Sequence, residues 1–269
     1  MPYLSKIPLN PRRRGATALL GNPYRLHTAV LAGLALQPVS ERVLWRLESH
    51  TAHRAELLVL TESRPAWQHL IEEAGWPDAD GGQAFTADYA PVLERLVVGR
   101  EFAFKLTANP VHSVRRPSQP KAAQASRLEG QDSIPGTSTE RSARGVRVPQ
   151  RTAAQQLNWL LNKADRHGFT IPAMDPATGA PAPSHESPQS QAPTPAVSLF
   201  ARNILYFRKH SQGRQITLAT ATFQGKLRVT DPTALRAALL CGIGPGRGYG
   251  QGLLTLAPPR DHPCLTSEQ

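Results

Sequence analysis

Apolar and polar positions along the chain alternate between strand and helix periodicities in short segments. In the first half, apolar residues at every second position predict strands over residues 3–9, 43–47, 55–60 and 101–107. Spacings of three and four, with Asn22 as an N-cap and Pro23 at the first helical position, predict helices over residues 22–36 and 65–74. The resulting order, β-α-β-β-α-β, is that of the ferredoxin-like fold, which RNA-recognition modules also use.

The second half gives the same order with interruptions. The pattern predicts a weak strand over residues 146–148, a helix over 152–167, a hairpin formed by 199–207 and 215–223, a helix over 231–240 and a last strand over 253–256. We therefore predict an α+β protein of two tandem ferredoxin-like domains, residues 1–110 and 111–269. The halves share this arrangement but no usable residue identity.

Two insertions interrupt the second half: a basic one at about residues 115–148 and a proline-rich one at about 173–196. Their Ser, Gln, Gly and Pro content leaves too little apolar area for either to fold alone. Between residues 115 and 151, eight basic residues stand against three acidic ones. The basic insertion therefore suits an arm that orders on a nucleic-acid backbone, and a solvated linker is the alternative.

The composition limits the kinds of partner and the cellular compartment that we expect for this protein. The net charge is +11 and the pI is about 10.3, which favours a polyanionic partner without proving one. The apolar runs are too short to span a bilayer, and the N-terminus lacks the order of a signal peptide. Cys241 and Cys264 have no metal-ligand spacing around them, so we expect a reducing cytoplasm, no metal, no cofactor and a buried Cys241.

The segment of residues 242–252, the glycine segment below, carries glycine at six alternate positions with Arg247 near its middle. It matches neither common nucleotide loop: no Lys-Ser/Thr pair follows it, and no register gives Gly-x-Gly-x-x-Gly. Missing side chains let a polyanion approach the backbone closely. We expect it to contact RNA phosphates, whereas the alternative is a flexible turn; the contacts would come from Gly244, Gly246, Arg247, Gly248 and Gly250.

The helix that begins at Asn22 carries candidate chemistry on its flank. Tyr24 and His27 are three residues apart and lie beside the apolar face, near a helix N-terminus that favours phosphate. Histidine suits proton transfer because its unperturbed pKa is about 6.5. A histidine at such a place is more often a solvated surface residue, and spacing alone does not select His27 among the nine histidines.

Five segments, taken together and in order, resemble the CRISPR-associated endoribonuclease of the type I-E system, the CasE family. They cover nearly the whole chain outside the insertions: residues 4–11, 22–27, 157–169, 229–236 and 242–256. The chain departs from the family pattern at Gln251, where an apolar residue is usual. It also has no basic residue between Thr28 and Val39, where some relatives carry a lysine, so the auxiliary cation of the site stays unidentified.

The resemblance implies a metal-independent cut at the 3′ base of a repeat hairpin in CRISPR precursor RNA. It also implies that the protein stays on the product as a subunit of the Cascade complex, with the adjacent backbone subunit of that complex as a partner. His27 would act as general acid or base, and Tyr24 would orient the ribose or contact the phosphate. A non-catalytic RNA-binding scaffold subunit with the same fold is the alternative, and a metal-dependent nuclease is disfavoured by the lack of a ligand cluster.

A double-stranded stem is recognised mainly by shape and backbone, so arginines without stacking aromatics are expected to bind it. A solvated basic surface is the competing interpretation for each of them. Trp159 and Phe169 follow an apolar pattern and are expected in the core. The candidate RNA-binding arginines are Arg12, Arg13, Arg14, Arg115, Arg116, Arg141, Arg144, Arg147 and Arg151, besides Arg247.

Overall fold

The first half of the chain folds as one antiparallel sheet with helices on one face. The structure is a computed structural model that describes residues 1–51, 53–114, 146–174, 194–210 and 212–259. The strands pair in the order β2-β3-β1-β4, the ferredoxin-like order. The elements of this half are β1 (Tyr3–Leu9), α1 (Arg14–Leu20), α2 (Pro23–Leu31), β2 (Leu44–His50), β3 (Ala55–Thr61), α3 (Gln68–Ala74) and β4 (Phe85–Asp88).

The second half repeats this sheet. Its main strands pair in the order β11-β5-β10-β8, and the long strand β9 also pairs with β10, while β6 and β7 form a separate two-stranded sheet. The elements are α4 (Ala90–Glu94), β5 (Glu101–Ala108), β6 (Val111–Val114), β7 (Val146–Pro149), α5 (Ala153–Ala164), β8 (Phe169–Thr170), β9 (Val197–Arg208), β10 (Gln215–Val229), α6 (Pro232–Cys241) and β11 (Leu254–Ala257). The predicted tandem arrangement is confirmed.

Two strand assignments from the sequence are wrong. The strand predicted at residues 101–107 was placed in the first domain, but β5 pairs with β10 and β11 of the second sheet. The first sheet instead closes with β4, which has only four residues and therefore gives little periodic signal. The segment predicted at 146–148 pairs with β6 and not with the main sheet. A division at residue 110 thus leaves a second-sheet strand in the first domain.

Helix α2 ends at Leu31, before the predicted residue 36. The side-chain amide of Gln37 donates to the carbonyl of Leu31, at 2.9 Å, at the open end of the helix, and to that of Leu34, at 3.0 Å, in the turn that follows. Gly33 lies so close to Trp67 that a Cβ there would be 2.4 Å from the indole ring. The short helix carries its N-terminal half, with Tyr24 and His27, to the candidate site.

Arg46 joins the two sheets. It points from β2 into the second sheet, and it is 1% exposed. Its Nη1 donates to the carbonyls of Lys105 and Leu253 at 2.9 and 2.8 Å, and its Nη2 donates to Thr255 Oγ1 at 2.7 Å. Glu48 accepts from Arg46 Nε at 2.7 Å and pairs with Lys105 Nζ at 2.9 Å. A buried, hydrogen-bonded charge therefore fixes how the two units meet.

Three residues whose burial the sequence predicts can be compared with the core of the structure. Trp159 and Phe169 are buried, as expected. Cys241 is exposed, contrary to expectation, because α6 buries Leu235, Ala238 and Leu239 and its last residue leaves that face. Among the described residues, no helix is long and apolar enough to cross a membrane. The two predicted insertions fall almost wholly outside the described residues.

Candidate active site

Helix α2 places Tyr24 and His27 on its half-buried flank. Asn22 caps the helix, since its Oδ1 accepts from the backbone N–H groups of Tyr24 at 3.0 Å and Arg25 at 3.4 Å. Leu26 and Val30 are buried against the first sheet and fix the rotation of the helix. The flank one turn from the N-terminus is thereby held at the boundary between the two units.

The His27 ring is held by Trp45, which comes from β2. Trp45 Nε1 donates to His27 Nδ1 at 3.1 Å. Trp45 is 3% exposed and belongs to the apolar core of the first unit, so the donor has a fixed position. Burial lowers the pKa of His27 below its usual value, because removal from water disfavours the charged ring.

The glycine segment crosses from the second unit and closes over this pair. A Cβ built on Gly248 would lie 3.4 Å from His27 Nε2, so the backbone passes beside the free nitrogen of the ring. Gly250 has φ +77°, and a Cβ there would lie 2.5 Å from the Trp45 ring. The candidate site is therefore built jointly by α2, β2 and the glycine segment.

Backbone conformation and packing explain why glycine is required at two further positions of the segment. Gly244 has φ +85° and lies against Trp159, where a Cβ would be 3.0 Å from the ring. Gly246 has φ +84° and lies against the side chain of Gln251. Left-handed backbone of this kind favours glycine. Gly248 differs, because no positive φ requires glycine there and its missing side chain leaves space beside His27.

Positive charge gathers next to the glycine segment. Arg247 is half-buried, its Nε has no hydrogen-bond partner among the described residues, and its pKa is lowered by burial and by the nearby Arg42. The pKa of His167 is lowered by burial and then by Lys163, Arg247 and Arg166. Like charges held together favour an anion between them. We call the four permanently charged members of this set the cationic cluster: Arg42, Lys163, Arg166 and Arg247.

The tip of the β9–β10 hairpin reaches the N-terminus of α2. Asn22 Nδ2 donates to the carbonyl of Arg208 at 3.0 Å, which anchors the tip. Lys209 Nζ lies 6.0 Å from the centre of the Tyr24 ring, and the His210 ring stands edge-on to it at 5.9 Å. The structure thus brings a lysine to the site from a segment far away in sequence. No spacing along the chain could have indicated it.

The predicted RNA-binding arginines are spread around the molecule. Arg12 and Arg14 are exposed at the start of α1, and Arg13 Nη1 donates to the carbonyl of Gly75 at 3.3 Å. Arg147 is exposed on β7, and Arg151 is exposed before α5, where its carbonyl accepts from Arg202. Four others lie outside the described residues: Arg115, Arg116, Arg141 and Arg144. Contact of these arginines with RNA stays a prediction.

The described part of the chain contains no group of three or more His, Cys, Asp or Glu residues placed to hold a metal ion.

Two ferredoxin-like units that share one histidine-bearing site define a tandem ferredoxin-like protein. The sequence model of the family described as "CRISPR associated protein" matches residues 2–258. The chain therefore belongs to that family, and the resemblance noted from the sequence is confirmed.

Named relatives agree with this membership. The chain is 28% identical over 263 residues to the CRISPR-associated endoribonuclease Cse3 of Thermus thermophilus, covering 95% of this chain and 100% of the relative. It is 27% identical over 218 residues to the CRISPR system Cascade subunit CasE of Escherichia coli, covering 80% and 88%. A solved structure of the Cse3 endoribonuclease bound to a 19-nucleotide RNA superposes with a TM-score of 0.66 at 27% identity, covering 96% of this chain and 99% of that one.

Proposed function

We propose that this protein is a metal-independent endoribonuclease that cuts CRISPR precursor RNA at the base of the repeat hairpin. The observation that carries the proposal is the placement of His27 Nε2 beside Gly248, which directly follows Arg247 of the cationic cluster, on a helix whose Tyr24 lies near Lys209. Similarity to an endoribonuclease, and to its RNA-bound structure, supports the same activity here.

The chemistry needs no group beyond RNA and protein. The ribose 2′-hydroxyl attacks the adjacent phosphorus, the P–O5′ bond breaks, and the products are a 2′,3′-cyclic phosphate and a 5′-hydroxyl. One proton leaves the 2′ oxygen and one reaches O5′, so a positioned histidine contributes about 10²–10⁴ in rate. His27 acts at this step through Nε2, Tyr24 orients the nucleotide, and Lys209 and Arg247 stabilise the charge that develops on the phosphorane.

After cleavage the protein stays on the 3′ hairpin of the product as a Cascade subunit. The net charge of +11 and the arginines named above supply backbone contacts to the stem. The relative named as a Cascade subunit supports the assembly. The activity belongs in the cytoplasm, where the precursor transcript is made.

The test is cleavage of a labelled repeat hairpin in excess chelator, with the product ends identified. His27→Ala should lower the rate by at least about 10²-fold while RNA affinity persists. His69→Ala is the matched control, because His69 is also half-buried against α2, where its Nε2 contacts the carbonyl of Ala29 at 2.9 Å. It should cut as fast as the parent.

Other outcomes separate the alternatives. Tight binding without cleavage by the parent would indicate a non-catalytic scaffold subunit. Cleavage that stops in chelator and returns with Mg²⁺ would overturn metal independence. Cleavage by His27→Ala at the parental rate would show that the site is misassigned.

A further inference from the structure

The contact between Trp45 and His27 determines which ring nitrogen carries the proton. An indole N–H can only donate a hydrogen bond. Trp45 Nε1 lies 3.1 Å from His27 Nδ1, so Nδ1 must offer its lone pair and carry no proton. In the neutral imidazole the single proton is then on Nε2. Nε2 is the nitrogen beside Gly248.

Trp45 cannot turn away from the ring without disturbing its neighbours. It is 3% exposed, and the backbone of Gly250 lies against the far edge of its indole, leaving no space for even a Cβ. Protonation of His27 would place two N–H donors face to face at Nδ1. The indole therefore opposes the charged ring, and burial lowers the pKa of His27 in the same direction.

The elements that pack against α2 carry further charged and titratable groups. They come from α1, α3, β2, the β9–β10 hairpin and the 3-10 turn Arg247–Tyr249. Burial is what lowers the pKa of His27, and the charges on these elements do not change that direction. These groups are Arg14, Arg46, Glu48, His69, Glu72, Glu73, Tyr206, Arg208, Lys209, His210, Arg247 and Tyr249, besides Tyr24 and Arg25 of α2 itself.

We propose that Trp45 is a positioning residue that holds His27 in the neutral tautomer protonated on Nε2, so that the histidine presents a hydrogen-bond donor to an RNA phosphate at Gly248. The role of this donor in cleavage rests on the proposed function, but the tautomer does not. Sequence reasoning leaves open whether His27 starts as acid or base. The geometry makes the resting ring a donor.

The decisive experiment compares Trp45→Phe with Trp67→Phe. Both residues are buried aromatics in the apolar core of the first unit, and Trp67 packs against Gly33, two residues past the end of α2. In the part of the chain that the structure describes, the indole nitrogen of Trp67 has no hydrogen-bond partner. Each variant therefore loses similar packing, but only Trp45→Phe loses a donor to His27.

The tautomer and pKa of His27 are measured by ¹⁵N NMR on histidine-labelled, RNA-free protein. The parent and Trp67→Phe should show the proton on Nε2 and a pKa below 6.5, the usual value. In Trp45→Phe the preference for Nε2 should weaken and the pKa should rise. Cleavage at neutral pH should fall about tenfold, the scale of one hydrogen bond, with RNA affinity within about twofold.

Two results would overturn the inference. One is a parent in which Nδ1 of His27 carries the proton at neutral pH. The other is a folded Trp45→Phe protein whose His27 tautomer and pKa match those of the parent. If Trp45→Phe does not fold, the parent spectrum alone decides. If the parent cuts no RNA, the proposed function fails, while the spectrum still decides the tautomer.

Discussion

At the scale of single residues, Gly250 shows most directly how the glycine segment is held. It combines a φ of +77° with a position against the Trp45 ring. Gly250→Ala should therefore cost about 1–2 kcal/mol for the left-handed backbone and a further 1–3 kcal/mol for overpacking. The displaced indole should also weaken its hydrogen bond to His27. Chemical denaturation measures the first effect, and the RNA cleavage rate measures the second.

Gly99→Ala is the matched control. Gly99 has φ +84°, and a Cβ there would meet no atom of the described residues within 4 Å. It should lose only the backbone contribution and keep the parental cleavage rate. Equal losses of stability in the two variants would mean that the contact between Gly250 and Trp45 does not constrain the segment.

Residue patterns predict part of this site and miss the rest for a physical reason. His27 and Tyr24 belong to one helix, so a local motif could select them. Trp45 and Lys209 reach the same place from β2 and from the hairpin tip. Their roles depend on tertiary packing, and in the sequence they look like an ordinary core aromatic and an ordinary turn lysine.

At the scale of elements, the sequence predicts the kind of each long segment better than its partners. The alternation in β5 is clear, with every second residue buried, yet the pattern does not say which sheet it joins. The order β-α-β-β-α-β is also obtained when β5 is taken as the fourth strand of the first sheet, which is the assignment that the sequence favoured. In the structure the fourth strand of the first sheet is β4, which has only four residues and little burial and therefore was not recognised from the sequence.

The β9–β10 hairpin is the element whose position beside Tyr24 the sequence did not indicate. Its tip carries Lys209 to Tyr24 and is anchored at Asn22. Lys209→Ala should slow cleavage roughly 10- to 100-fold, because a cation near the scissile phosphate stabilises charge that grows in the transition state. The slope of log Kd against log salt concentration should also decrease by the amount that corresponds to about one phosphate contact. Single-turnover cleavage and binding at several salt concentrations measure both.

Lys226→Ala controls for net charge on the same element. Lys226 is exposed near the opposite end of β10. Its loss removes the same charge from the protein but none from the tip, so cleavage should stay within about twofold of the parent. If the two variants slow cleavage equally, Lys209 acts only through net charge and is not a cation of the site.

At the scale of the whole molecule, the site exists only because two units meet in one orientation. Two neighbouring residues of β2 make contacts on opposite sides of the junction between the units. Trp45 faces α2 and holds His27, while Arg46 faces the second sheet and donates to the carbonyl of Leu253, which directly follows the glycine segment. One strand therefore sets the position of the histidine and of the backbone that covers it.

Arg46→Met tests this coupling. The substitution keeps much of the side-chain volume but leaves the carbonyls of Lys105 and Leu253 without the donor they share. Loss of one partner from such a buried charged network costs about 3–5 kcal/mol. Arg228→Met is the control, because Arg228 pairs with Glu101 at 2.7 Å while its side chain is 52% exposed, and such pairs contribute about 0–1 kcal/mol.

Equilibrium unfolding gives the stability of each variant, and cleavage is measured at a temperature where both remain folded. Arg46→Met should lose stability and, per folded molecule, also cut more slowly, because the glycine segment is released from β2. Arg228→Met should do neither. A folded Arg46→Met protein that cleaves at the parental rate would show that the glycine segment keeps its place over His27 without the buried arginine, and that the coupling lies in the apolar contacts between Leu44 and Gly242 instead.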